Sequence, residues 1–211
     1  DARKYPLVFA HGVGQFSKTW ETTPDGREGF QNIFLRRGFS TYLVDQPRRG
    51  NAGRGTETVT ISPAFDEEEW FNRFRVGIYP DYFEGVQFSR SKEALDQFFR
   101  QMTPNIGTVD FEVYSDAYAA LFDKIGPAIF VTHSQGGPVG WRTLLKTDNI
   151  KAIVSYEPGG GIPFPEGQVP EEGKILTLSK KTEGVEVPMS DFMKYTEIPI
   201  IVYYGDNLPE T

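Results

Sequence analysis

Five short apolar runs punctuate the chain, at residues 7–10, 41–44, 128–132, 152–156 and 199–204. They are rich in β-branched and aromatic residues, and mostly continuous rather than alternating. That pattern predicts strands covered on both faces. Helical patterns lie between several of them. Residues 29–37 predict a helix closed by Gly38, and 112–125 a second one stopped by Gly126 and Pro127. A third opens at Gln135 and runs to about Lys146. Strands alternating with helices predict an α/β domain, its sheet mostly parallel with helices on both faces.

Two long connections break this rhythm, residues 63–102 and 159–196. The first carries Phe65, Trp70, Phe71, Phe74, Tyr79, Tyr82, Phe83, Phe88, Phe98 and Phe99. The second is rich in Pro and Gly at its start and charged later. Connections of this length are commonly caps or pocket walls. Aromatics so dense also suit a peripheral helix pair, and the two readings are compatible.

Composition narrows the chemistry. The 211 residues suffice for one domain with a large core, and the net charge of −7 argues against nucleic acid as a partner. Arg48, Arg49 and Arg54 form a local basic patch against that background. With no cysteine, disulfides, thiol catalysis and Cys-ligated zinc are excluded. No apolar run approaches the ~20 residues of a membrane helix. No phosphate-cradling G-x-x-x-x-G-K-[ST] string exists. No metal and no cofactor is expected. The compartment stays open from these residues alone.

The most informative string is residues 128–137, AIFVTHSQGG. An apolar strand runs into Thr-His-Ser-Gln-Gly and then a helix, the setting of the G-x-S-x-G nucleophile elbow. The turn is tight enough to demand small residues around the serine. Gly136 meets that demand, whereas Thr132 is β-branched where glycine is usual. A serine here could also be a helix N-cap. The strand, the turn and the double glycine favour Ser134 as a nucleophile, with the Gln135 amide aimed at an oxyanion. The first strand ends His11-Gly12-Val13-Gly14-Gln15, and its Val13 amide is the expected second oxyanion donor. His11 is read as structural. The loop from Asp45 to Gly55 is read as shaping the pocket floor.

Beyond these motifs, residues 20–30 (WETTPDGREGF), 34–47 (FLRRGFSTYLVDQP) and 153–159 (IVSYEPG) resemble the bacterial esterase 713-like branch of the α/β-hydrolases. The resemblance covers nearly the whole chain and is weakest in the aromatic stretch. It implies an α/β-hydrolase fold, onto which the long connections 63–102 and 159–196 are read as cap or pocket insertions, and favours a secreted or periplasmic setting. It places the triad acid at Glu157, after the sixth strand of that fold. Asp206 is the competing acid, at the position most α/β-hydrolases use. The branch often has a cysteine pair at the oxyanion turn. Val13 and Gly14 stand there instead.

The triad order on this fold is Ser, acid, His. No histidine follows Glu157, and the two present are His11 and His133. His133 precedes Ser134 on a strand, so alternation aims its side chain at the opposite face. Counted against the fold, the strands correspond to the third through seventh. Residues 1–211 are therefore expected to be a single incomplete domain, with the first strands, the last strand and the His loop outside them. The base would then come from further residues or from a second polypeptide piece. The expected chemistry is ester hydrolysis on a small molecule through Ser134, with amide or lactone cleavage and an inert hydrolase-fold binding protein as alternatives. Nothing here sets the oligomeric state.

Overall fold

The computed structural model describes residues 2–53, 55–56, 58–61, 67–104, 106–170 and 184–207. In chain order its strands begin with β1 (Leu7–Ala10) and β2 (Thr41–Val44). The two-residue strands β3 (Gly77–Ile78) and β4 (Asp81–Tyr82) follow. Then come β5 (Ala128–His133), β6 (Ile150–Tyr156), the short β7 (Pro163–Pro165) and β8 (Val185–Val187), and β9 (Ile200–Tyr203). The helices are α1 (Phe30–Arg36), α2 (Glu67–Arg73), α3 (Lys92–Arg100), α4 (Phe111–Ile125), α5 (Gly136–Leu144) and α6 (Met189–Thr196).

The five expected strands form one sheet in the order β2-β1-β5-β6-β9, every neighbouring pair parallel. β1 is buried along its whole length, as its unbroken apolar run requires. Its side chains still alternate between two layers. Val8 and Ala10 pack with Tyr114, Tyr118 and Phe122 of α4 and Val139 of α5. Leu7 and Phe9 face the other way, against Trp20 and Phe34. Helices therefore cover both faces. β6 starts earlier than residue 152, because Ile150 is buried and pairs with Ala128 while Lys151 turns outward.

Helix ends follow local chemistry. Asp110 caps α4 by accepting from the amides of Glu112 and Val113, and Gly126 closes the helix with φ +83°. Gly38, at φ +86°, stands just past α1 as expected of a left-handed closure.

The two long connections differ. The described part of 63–102 holds α2, α3 and the β3–β4 pair. In 159–196, β7 and β8 make a short parallel ribbon, while α6 packs on the main sheet through Tyr195. That helix belongs to the sheet layer rather than to a cap. Of the three arginines of the expected basic patch, the structure sets one apart from the surface. Arg49 is fully buried with its guanidinium over the Tyr114 ring, and Arg54 lies outside the described residues. No described helix is long and apolar enough to cross a membrane.

Candidate active site

The chain leaves β1 toward β2 on one side and returns through β5 on the other, so the loops after β1 and β5 diverge at a switch point. Crevices at the carboxyl ends of parallel strands bind ligands there. The strand ends are level: Ala10 pairs with Thr132, His133 with Tyr156, and Tyr156 with Tyr203. The residues that follow those ends are the turn at Gly12 and Val13, Ser134, Glu157 and Tyr204.

Ser134 occupies the left-handed region at φ +50°, an uncommon conformation for a residue with a side chain. Three bonds hold it. Its amide donates to Tyr156 O at 3.0 Å, and its carbonyl accepts from Gly137 and Gly159, each at 2.8 Å. Glycine is required around it. A Cβ on Gly136 would stand 2.9 Å from Ala10 O, and one on Gly137 would stand 2.7 Å from Pro158 Cβ. Thr132 is accommodated from the helix side. Its hydroxyl donates to Ser155 Oγ at 2.8 Å, and its methyl lies where any side chain on Gly140 would fall.

The turn after β1 is organised by a residue that the sequence does not single out. Gln15, itself buried, places Oε1 2.9 Å from both the Gly12 amide and His133 Nδ1. Because Oε1 accepts from Gly12, His133 must donate, which sets its Nδ1–H tautomer. Among the described residues, no acceptor engages the Val13 or Gln135 amide. Both expected donors stay available, and both residues line the same cavity as Ser134.

Each histidine is committed. His11 is fully buried; its Nε2 accepts from the Gln46 amide, so Nδ1 donates to Gly12 O at 2.9 Å. Burial lowers its pKa, with the Gly12 carbonyl opposing. Burial pushes His133 down to about 4, against a smaller opposing pull from Glu157. His133 lies on the Val131 side of β5, its ring 6.4 Å from that of Trp20, and it also borders the cavity.

The loop after β2 acts behind the cavity rather than as its floor. The Asp45 carboxylate accepts from the amides of Ser17 and Asn51, at 2.6 and 2.7 Å. Those bonds outweigh burial and lower its pKa. Gln46 braces His11 through both its backbone amide and its side chain.

Both candidate acids border the cavity. Glu157, at φ +47°, donates its amide to Tyr203 O at 2.8 Å. Its Oε1 accepts from the Gly205 amide and from Arg75 Nη2. Asp206 is exposed, and its backbone carbonyl accepts from Arg75 Nε at 2.7 Å. Arg75 was not anticipated, since its partners lie 82 and 131 positions away. A charge set between Phe74 and Val76 in an aromatic stretch was the available signal, because burying it demands a partner.

The cavity has a volume of about 890 Å³. Val13, Ser134, Gln135, Glu157 and Asp206 all line it. Part of its wall is an aromatic stack running from α2 to the serine. Trp70 and Phe74 lie 5.3 Å apart at 16°, and Phe74 lies 6.4 Å from the His133 ring at 29°. The Arg73 guanidinium sits 5.3 Å from the Trp70 centroid. From 159–196, Gly159 alone among the described residues reaches this cavity.

A model of the alpha/beta hydrolase family matches residues 7–182. The chain belongs to that family. The probable secreted lipase phiG of Fungal sp. (strain ATCC 74256) is 34% identical over 171 residues, covering 77% of this chain and 47% of that protein. A solved structure described as a novel bacterial esterase is 28% identical with a TM-score of 0.75. It covers 98% of this chain and 62% of the other. The chain therefore spans less than two thirds of either relative.

Proposed function

We propose that this chain carries the nucleophile and oxyanion site of a serine hydrolase that cleaves carboxylic esters through an acyl-enzyme. The observation that carries the reading is Ser134 itself, left-handed at φ +50° and lining one cavity with the unengaged amides of Val13 and Gln135. Ser134 Oγ attacks the ester carbonyl carbon. The two amides receive the oxyanion, where preorganised donors act most strongly. The C–O bond to the alcohol then breaks, leaving the acyl group on Ser134 for water to remove.

Glu157 is the acid that orients the base, and the base is a histidine outside residues 1–211. Neither histidine within them suits the role. His11 has both ring nitrogens engaged. His133 rests on an amide oxygen instead of a carboxylate, and with a pKa near 4 it is a weak base at neutral pH. The lipase and esterase among the relatives favour an ester over an amide or lactone. The Trp70–Phe74 stack favours an apolar or aromatic group on the ester.

The test is rapid-quench kinetics with 4-nitrophenyl esters on a protein that carries residues 1–211 together with that histidine. A burst of nitrophenol and an acyl adduct on Ser134 are expected, with turnover falling about 10⁶-fold in Ser134→Ala. No adduct and no turnover would leave an inert hydrolase-fold binding protein as the correct reading.

A further inference from the structure

Glu157 is gripped at one oxygen only. Oε1 accepts both from Arg75 and from the Gly205 amide, while among the described residues no hydrogen bond reaches Oε2. The same guanidinium uses Nε to hold the Asp206 carbonyl at 2.7 Å. One side chain thus joins the segment after α2, the acid loop after β6 and the loop after β9. The pair is well enclosed, the Arg75 side chain 9% exposed and that of Glu157 23%. Both residues also sit in the left-handed region, Arg75 at φ +56° and Glu157 at φ +47°. Two sparsely populated conformations meeting in one ion pair mark a held geometry.

Arginine suits this task for a physical reason. Its planar fork presents donors at fixed angles, so Nη2 and Nε can serve two acceptors at once. A lysine could neutralise Glu157 but could not hold the Asp206 carbonyl in the same pose. Occupying Oε1 from the side of Gly205 leaves Oε2 as the oxygen able to accept from an imidazole.

We propose that Arg75 is a positioning residue for the triad acid, holding Glu157 by Oε1 so that Oε2 is presented to the catalytic histidine. The proposal rests on the hydrolase reading given above. It also assigns a role to the 67–87 segment beyond walling the cavity. That segment reaches across to fix the acid, so its seating and the assembly of the triad are coupled.

A double-mutant cycle in the histidine-containing protein, followed with a 4-nitrophenyl ester, tests it. Arg75→Met is expected to lower kcat about 10²-fold, the scale of an ångström-sized misplacement, with KM changed by less than about threefold. Arg75→Lys should recover part of that loss with an unchanged melting temperature. In a Glu157→Gln background, adding Arg75→Met should cost less than about threefold further, because the group it positions is already gone. An equal fold-loss in both backgrounds would overturn the proposal, as would full kcat in Arg75→Met. If Ser134→Ala retained hydrolysis, the hydrolase reading itself would fail, independently of Arg75.

Discussion

Gly140 of α5 lies directly over Thr132 of β5: a Cβ on Gly140 would stand 2.9 Å from Thr132 Cγ2. This contact explains how a β-branched residue is tolerated two positions before Ser134. Gly140→Ala should destabilise the protein by about 1–2 kcal/mol, the overpacking outweighing the better helix propensity of alanine. Adding Thr132→Ser removes the methyl and keeps a hydroxyl for Ser155, so the double variant should recover most of that loss in urea unfolding. Simple additivity of the two changes would contradict the contact.

Gln15 links the turn after β1 to His133 through a single oxygen. Gln15→Leu leaves the Gly12 amide and His133 Nδ1 without their acceptor. The expected cost is about 1–3 kcal/mol of stability. Turnover should fall by roughly tenfold or more, short of the 10²–10³ that follows loss of an oxyanion donor. Unfolding midpoints and kcat measured on the same preparation check both. Unchanged kcat would separate Gln15 from the oxyanion turn.

The fold was legible because its strands are apolar runs with strong local signals, and four of the five begin within one residue of the predicted start. The tight turns after β5 and β1 were legible for a similar reason. Tight turns between a strand and a helix tolerate few residue types, so Gly12, Gly14 and Gly136 announce them locally. Arg75 and Gln15 were not legible, since their roles are set by contacts with distant residues, Glu157 and His133. The β3–β4 pair has two residues per strand, too few for any periodicity. α6 was absorbed into a supposed cap because its apolar positions are sparse and follow a charged stretch.

Both histidines are held neutral, which has a consequence for acid stability. Their pKa values are lowered by burial, His133 to about 4 from an ordinary value of 6.5. Below pH 6.5 the unfolded chain binds protons that the folded chain refuses, so stability falls as pH drops from 6.5 toward 4. His133→Gln should flatten part of that slope. Urea midpoints at pH 7, 5.5 and 4.5 for both proteins measure it. Parallel curves would contradict the burial of a neutral imidazole.

Phe74 stacks between Trp70 and the His133 ring. Phe74→Ala should raise KM for aryl esters by about tenfold relative to acetate esters, the scale of one aromatic contact. Kinetics with a matched pair of phenylacetyl and acetyl esters give the ratio. Equal changes for the two substrates would place the apolar group elsewhere in the cavity.

In the proposed reading Ser134 is an activated nucleophile rather than a helix-capping serine. Treating the histidine-containing protein with a fluorophosphonate and mapping the adduct by peptide mass spectrometry asks this directly. A single adduct on the peptide containing Ser134, absent in Ser134→Ala, is the expected result. An unlabelled protein, or label that persists in Ser134→Ala, would contradict it.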